Sequence, residues 1–341
     1  MFDGAKIFIE NSPGIGDLIM LTPVLRAIKD KYPNAELTVA SWGGGLSTVE
    51  RLPYIDHIHH IEPSFSGRLK SFNCIRKMDY VIFNSYQATL AQFARLCRVK
   101  KRGGNCKDKH LGTSLFTHPF PYTNIASVDY YETDYAAKKI GTVLEENLEI
   151  SDYQCDVSSP TDFERACLER KLKYAGFHSD NYVVFSPFGN TSLALRKETI
   201  KEVIEILLSK GRNVVLMGRK KDNMLNCVLE EIASDCVFDL TDKTTLMEMI
   251  ALIEGAEFNV MLDSGPLHIS CALGRKTAGI YTCINPYEWK PKNNCYAISH
   301  YLECTRPCYG SEKCDTHACN DFSEQFIKNE LEKFISEYIL R

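Results

Sequence analysis

The sequence predicts an α/β protein built from two doubly wound parallel sheets in tandem. Three observations carry that expectation. The 341 residues suit two domains of ordinary size. Short apolar runs alternate with amphipathic segments in two successive series, which implies parallel strands with helices over both faces. A composition of 44% hydrophobic and 25% charged residues supplies enough apolar material for two cores. The expected domains are 1–160 and 161–341.

In the first series, Lys6–Glu10 reads as a strand. Leu18–Lys31 reads as a helix, with Leu18, Leu21, Leu25 and Ile28 on one face and Pro33 beyond its end. Glu36–Ala40, His57–Ile61 and Tyr80–Phe83 are further strand candidates, and Thr89–Cys97 a helix. Arg98–Thr117 reads as an irregular loop, basic at its start, that either lies over a cleft or is a solvated surface.

The second series opens with a helix near Asp162–Tyr174 and a strand over Tyr182–Pro187. A helix over Lys197–Ser209, stopped by Gly211, leads to a strand at Asn213–Gly218. A helix near Asp222–Ala233, the run VFDL and a helix over Thr245–Ile253 follow. The strand FNVMLD precedes a short helix over Pro266–Leu273, AGIYT makes another strand, and Phe322–Ile339 closes the chain as a helix. There is no repeat of fixed short period and no low-complexity segment.

Composition excludes several function classes. A formal net charge of -4 is too small for an electrostatic nucleic-acid binder. No segment approaches eighteen uncharged apolar residues, so no membrane span is expected. The opening MFDGAKIFIENSPG lacks a basic region followed by a long apolar one, so no secretory leader is expected. The fourteen cysteines are then read in a reducing compartment, which makes the cytoplasm the expected location.

Two strand-to-helix turns carry candidate chemistry. In MLDSGPLHISCALG a strand ends at Asp263, turns through Ser264, Gly265 and Pro266, and enters a helix carrying His268. Proline suits a first helical turn, and glycine lets a ligand approach the backbone. Free amides at the positive end of a helix make a natural diphosphate site, with Ser264 and His268 as further donors. The alternative is a capped helix in which Ser264 or Asp263 bonds the amides and His268 packs locally. In NSPGIGDLIM, Gly14 and Gly16 lead into Asp17 at a helix start. Asp17 there is either an N-cap or a base, because a carboxylate disfavours a phosphate at the same spot.

GIGDLIMLTPVLRAIKDKYPNAELTVA resembles the opening of the family 9 glycosyltransferases, the bacterial heptosyltransferases of lipopolysaccharide assembly. LDSGPLHISCALG, with the NPYEWKP that follows a further strand, resembles that family's C-terminal nucleotide-sugar signature. The resemblance covers nearly the whole chain. It implies the GT-B architecture, two Rossmann-like domains facing a cleft, with an acceptor-side first half and a nucleotide-sugar-binding second half. It also implies inverting transfer from a nucleoside-diphosphate sugar, ADP-heptose favoured, to a hydroxyl of a lipopolysaccharide-core or related surface glycan. No metal is needed for that transfer. By position, Asp17 resembles the general base beside the acceptor-side glycines Gly14 and Gly16, and Asp263, Ser264, Gly265 and His268 the donor-binding turn. An attacking hydroxyl needs a base on its face, and a departing diphosphate needs fixed donors.

The chain departs from the family pattern at two places. The usual phosphate-binding lysine is absent from PFGNTSLALRKETI, where Arg196 is the candidate, with a surface charge as the alternative. The usual nucleoside-binding glutamate is replaced in VVLMGRKKDN by the shorter Asp222, crowded by Arg219–Lys221. These changes keep open another nucleotide sugar on a glycan or protein acceptor and a non-catalytic sugar-nucleotide-binding homologue; an epimerase of similar architecture is a third alternative. Cys304, Cys308, Cys314 and Cys319, with His317 among them, could enclose a structural Zn or Fe or remain thiols. Trp289 either stacks on a base or sugar or packs its own loop. Expected partners are the nucleotide-sugar donor, a glycan acceptor and the inner-membrane surface, with no nucleic acid.

Overall fold

A computed structural model describes residues 4–85, 87–106, 114–121, 130–177, 181–189, 194–219, 224–300, 314 and 317–340. The chain divides into two compact units, Met1–Ser158 and Ser159–Arg341, each built on one six-stranded sheet. Among the described residues no helix is long and apolar enough to cross a membrane.

The first unit contains β1 (Lys6–Glu10), β2 (Glu36–Ser41), β3 (His57–His60), β4 (Tyr80–Phe83), β5 (Lys101–Cys106) and β6 (His118–Pro121), ordered β3-β2-β1-β4-β5-β6. Every pairing is parallel, so both faces must be covered. Alternation along β1 does this. Ile7 and Ile9 join Val24, Leu25 and Ile28 of the helix α1 (Ile15–Lys31) in one core. Phe8 joins Val81, Phe83 and Ala91 in the other.

The second unit repeats the plan. Its strands β7 (Tyr182–Ser186), β8 (Asn213–Leu216), β9 (Val237–Asp239), β10 (Asn259–Leu262), β11 (Thr277–Tyr281) and β12 (Cys295–Ser299) lie in the order β12-β11-β10-β7-β8-β9. Val183, Phe185, Val214, Leu216, Val260 and Leu262 pack against Ile200, Val203 and Leu207 of the helix Lys197–Ser209 and against Ile327, Leu331 and Phe334 near the C-terminus. In both sheets the strand order reverses beside the first strand, between β1 and β4 and between β7 and β10. Ligands of open parallel sheets bind at such switch points, outside the carboxyl ends of the strands.

The structure corrects several expectations. Part of Arg98–Thr117 is not irregular: Lys101–Cys106 is β5, although Lys-Arg-Gly-Gly-Asn carries no strand signal. The two glycines admit their neighbours instead. A Cβ on Gly103 would collide with Val143, and one on Gly104 would stand 2.5 Å from the Phe116 ring. The helix Glu132–Leu144, which buries Ala136, Ile140, Val143 and Leu144, was not foreseen. Nor were Phe65–Ile75, β6 and β12. The C-terminal helix starts at Glu324, because the Ser323 side chain caps it by accepting from the Phe326 amide at 3.3 Å.

Candidate active site

At the first switch point, β1 ends in Glu10 and the chain turns through Asn11–Gly14 into α1. Asn11 fixes this turn. Its amide donates to the Ala40 carbonyl at 3.0 Å, its Nδ2 to the Asp17 carbonyl at 2.9 Å, and its own carbonyl accepts from Ser41 Oγ at 2.9 Å. Helix α1 begins at Ile15 rather than Leu18, with Gly14 at its N-cap position and no side-chain cap. Asp17 therefore stands inside the first turn and is not the N-cap. Its carboxylate folds back over Gly14, where any Cβ would collide with Asp17 Oδ2. A bare backbone at Gly14 is what admits the carboxylate to this position.

Asp17 shares its surroundings with two groups that sequence patterns did not single out. Glu10 is fully buried. Its carboxylate accepts from the Ser85 amide at 3.1 Å, from Ser85 Oγ and from Gln87 Nε2 at 3.4 Å. Burial nevertheless dominates, and it pushes the Glu10 carboxyl up to about 7, against those hydrogen bonds and the Lys139 charge. The same desolvation raises the Asp17 carboxyl, opposed by its own amide, by Ser12 and by Lys139. Asp17 keeps some solvent-accessible surface, but the protein around it is dense enough for desolvation to win.

Lys139, on the helix Glu132–Leu144, is 6% exposed, and its ammonium lies 4.4 Å from the centroid of the Tyr135 ring. Burial lowers its pKa, while Glu132, Glu10 and Asp17 hold its charge in place. One ammonium thus serves three carboxylates. At the end of β4, Asn84 is buried, and neither of its side-chain polar atoms has a partner among the described residues. A buried amide in that condition is suited to a ligand hydroxyl. The only sequence signal for Glu10 was a charged residue closing an apolar strand. Asn84 and Lys139 gave none.

At the second switch point, the loops after β7 and β10 touch. A Cβ on Gly189 would lie 3.2 Å from the Asp263 carbonyl oxygen and 3.3 Å from Ser264 Cβ. Ser264 is the N-cap residue of the helix Gly265–Ala272, yet it does not cap it. Its hydroxyl donates back to the Leu262 carbonyl at 2.9 Å. Ser264 therefore does not fill the capping role that the alternative offered it. His268 is buried, with Nε2 3.9 Å from Asp263 Oδ1. Its Nδ1 has no partner among the described residues. Burial lowers the imidazole pKa to about 4, so the ring is neutral at pH 7.

The structure does not gather every candidate. Arg196 holds the N-cap position of Lys197–Ser209, and its guanidinium pairs with Asp321 at 2.5 Å rather than with the turn at 263–268. Asp222, Cys304 and Cys308 lie outside the described residues. Cys314 and Cys319 are half-buried, and no group of three or more His, Cys, Asp or Glu suited to a metal occurs among the described residues. Trp289 closes the short helix Pro286–Trp289, which Asn285 caps by accepting from the Tyr287 amide at 2.9 Å. Its Nε1 is buried with no partner among the described residues.

Comparison with known proteins identifies the family and the fold. The family model described as glycosyltransferase family 9 (heptosyltransferase) matches residues 129–317. The lipopolysaccharide heptosyltransferase 3 of Escherichia coli is 26% identical over 305 residues, covering 82% of this chain and 84% of the relative. Among solved structures, a family 9 glycosyl transferase from Veillonella parvula DSM 2008 superposes with a TM-score of 0.78 at 16% identity, covering 98% of each chain. The E. coli ADP-heptose lps heptosyltransferase II follows at 0.74 and 19% identity, over 97% of this chain and 99% of that one. The iron-containing dodecameric glycosyltransferase TibC from enterotoxigenic E. coli H10407 gives 0.61 at 13% identity, over 98% of this chain and 77% of that one. The two parallel six-stranded sheets are those of the GT-B fold, and the chain belongs to glycosyltransferase family 9, the heptosyltransferases.

Proposed function

We propose that this glycosyltransferase moves heptose from ADP-heptose, with inversion, to a hydroxyl of a lipopolysaccharide-core or related surface glycan. The observation that carries the reading is the contrast between the two switch-point turns. One holds a carboxylate of raised pKa over a bare glycine; the other leads into a helix whose N-cap residue, Ser264, does not cap it. The first suits an acceptor hydroxyl, the second a departing diphosphate. The names of the E. coli relatives, which act on lipopolysaccharide or use ADP-heptose, support the choice of sugar and acceptor.

In this reading Asp17 accepts the proton as the acceptor oxygen bonds to the anomeric carbon. The bond from that carbon to the diphosphate breaks on the opposite face. A carboxylate of raised pKa is better matched to this task than an ordinary aspartate. Asn84 orients the acceptor. The Gly265 amide and the positive end of its helix meet the charge that develops on the leaving diphosphate, and His268, neutral and buried, keeps an Nδ1 with no partner among the described residues. A thermal-shift screen of ADP-, GDP- and UDP-sugars tests the donor, because stabilisation grows with concentration over Kd. Preference for GDP- or UDP-sugars over ADP-heptose would overturn the donor assignment.

The loop containing Cys304, Cys308, Cys314 and Cys319 is proposed to enclose a structural Zn or Fe. His317, between the last two, has a buried Nε2 with no partner among the described residues, and the TibC neighbour is iron-containing. Elemental analysis of native protein should give about one metal per chain. Four labelled thiols and no metal would remove it.

A further inference from the structure

Two helices of the first unit, Phe65–Ile75 and Ala88–Leu96, present an outward surface unlike the rest of the chain. Residues 63–107 carry ten Lys or Arg and one acidic residue, Asp79, whereas the whole chain has 40 basic and 44 acidic residues. Asp79 is already engaged, accepting from the Lys6 amide at 3.0 Å. On Phe65–Ile75 the inner face is Gly67, Ser71 and Ile75, all buried. The outer face places Phe65 and Leu69 one turn apart, 85% and 52% exposed, with Arg68 and Arg76 on the same stripe by helical spacing.

The neighbouring helix continues this surface. Phe72 and Phe93 meet edge to face at 5.5 Å between centroids, and Leu96, one turn beyond Phe93, is 72% exposed beside the exposed Arg95 and Arg98. Large apolar side chains that project outward among neighbours that are mostly cations, Glu62 paired with Lys70 at 3.6 Å being the exception, gain nothing from water. They match an interface whose surface is anionic and whose interior is apolar.

We infer that this face docks the enzyme on an anionic lipid bilayer, with Phe65, Leu69 and Leu96 among the acyl chains and Arg68, Arg76, Lys77, Arg95 and Arg98 against lipid phosphates. The inference rests on the reading that the acceptor glycan is carried by a lipid, since docking would bring the acceptor-side unit to the surface that presents it. Clusters of four to eight Lys or Arg suffice for such attraction, each contributing about fivefold in affinity.

Co-sedimentation of the full chain with vesicles tests it. Vesicles of phosphatidylcholine with a quarter phosphatidylglycerol should bind the protein; phosphatidylcholine alone should not, and 0.5 M salt should release it. Arg68→Gln with Arg76→Gln should weaken binding about 25-fold, and Phe65→Ser with Leu69→Ser about tenfold. Both double variants should keep the wild-type thermal shift with ADP. Equal binding to both vesicle types, or unchanged binding by both variants, overturns the inference. So does self-association by light scattering that the same substitutions abolish, which would assign the face to a second copy. Failure of the donor reading appears separately, as loss of the ADP shift with vesicle binding intact.

Discussion

Replacing Glu10 with glutamine should remove a pH dependence from the stability of the first unit. The Glu10 carboxyl has an ordinary pKa of 4.5 and is pushed up to about 7 by burial. Between those values the native state holds a proton that the unfolded chain has released. Stability therefore falls as pH rises from about 4.5 to about 7, then levels off. The span corresponds to about 3 kcal/mol. Glutamine stays neutral throughout, and its single oxygen keeps one of the two acceptor positions, that facing the Ser85 amide or that facing Gln87. Urea denaturation at a series of pH values measures the effect. Trp42 and Trp289 are the two tryptophans, one in each unit, so a Trp289→Phe background lets fluorescence follow the first unit alone. Wild type minus variant should fall by about 3 kcal/mol across the window. A difference that is flat, or that rises with pH, would refute a neutral buried Glu10.

Two further outcomes follow from the site geometry. Gly14→Ala places a Cβ where Asp17 Oδ2 lies, and displacing a catalytic group by about 1 Å costs on the order of a hundredfold in rate. Transfer should fall by that order while the melting temperature moves by only a few degrees, since Gly14 has an ordinary φ of -62°; activity within twofold of wild type would show that the carboxylate need not sit there. His268→Ala should raise the Kd for ADP about three- to tenfold by calorimetry, with the fold intact by circular dichroism. Unchanged affinity both there and in Gly265→Val would move the diphosphate site elsewhere.

How much of this was legible in the sequence depended on where the determining contacts lie. Tyr80–Phe83, Asp162–Tyr174 and Lys197–Ser209 were read at their observed bounds, because each carries its own periodicity and end signals. β5 was missed because its strand character comes from Val143, Phe116 and Phe120 packing onto Gly103 and Gly104, contacts distant or invisible in a local window. The helix Glu132–Leu144 was missed as well, and with it Lys139. The turn residues Asp17, Ser264 and His268 were visible as motifs, but their geometry was not. Asp17 was expected as an N-cap or a base, and Gly14 takes the N-cap position instead. Glu10 owes its raised pKa to burial, and the Ser85 and Gln87 hydrogen bonds that oppose the rise come from some 75 residues on, so neither effect could be read locally.

The central claim, that Asp17 is the base of an inverting transfer, is tested most directly by Asp17→Asn. Asparagine nearly matches aspartate in size and keeps an acceptor oxygen beside Gly14, yet it cannot take the acceptor's proton. With ADP-heptose and a lipopolysaccharide-core acceptor, kcat should drop by about 10²–10⁴-fold, while the Kd for ADP and the melting temperature stay close to wild type. Turnover within a few-fold of wild type would contradict the account and leave Asp17 as a carboxylate that only settles the start of α1.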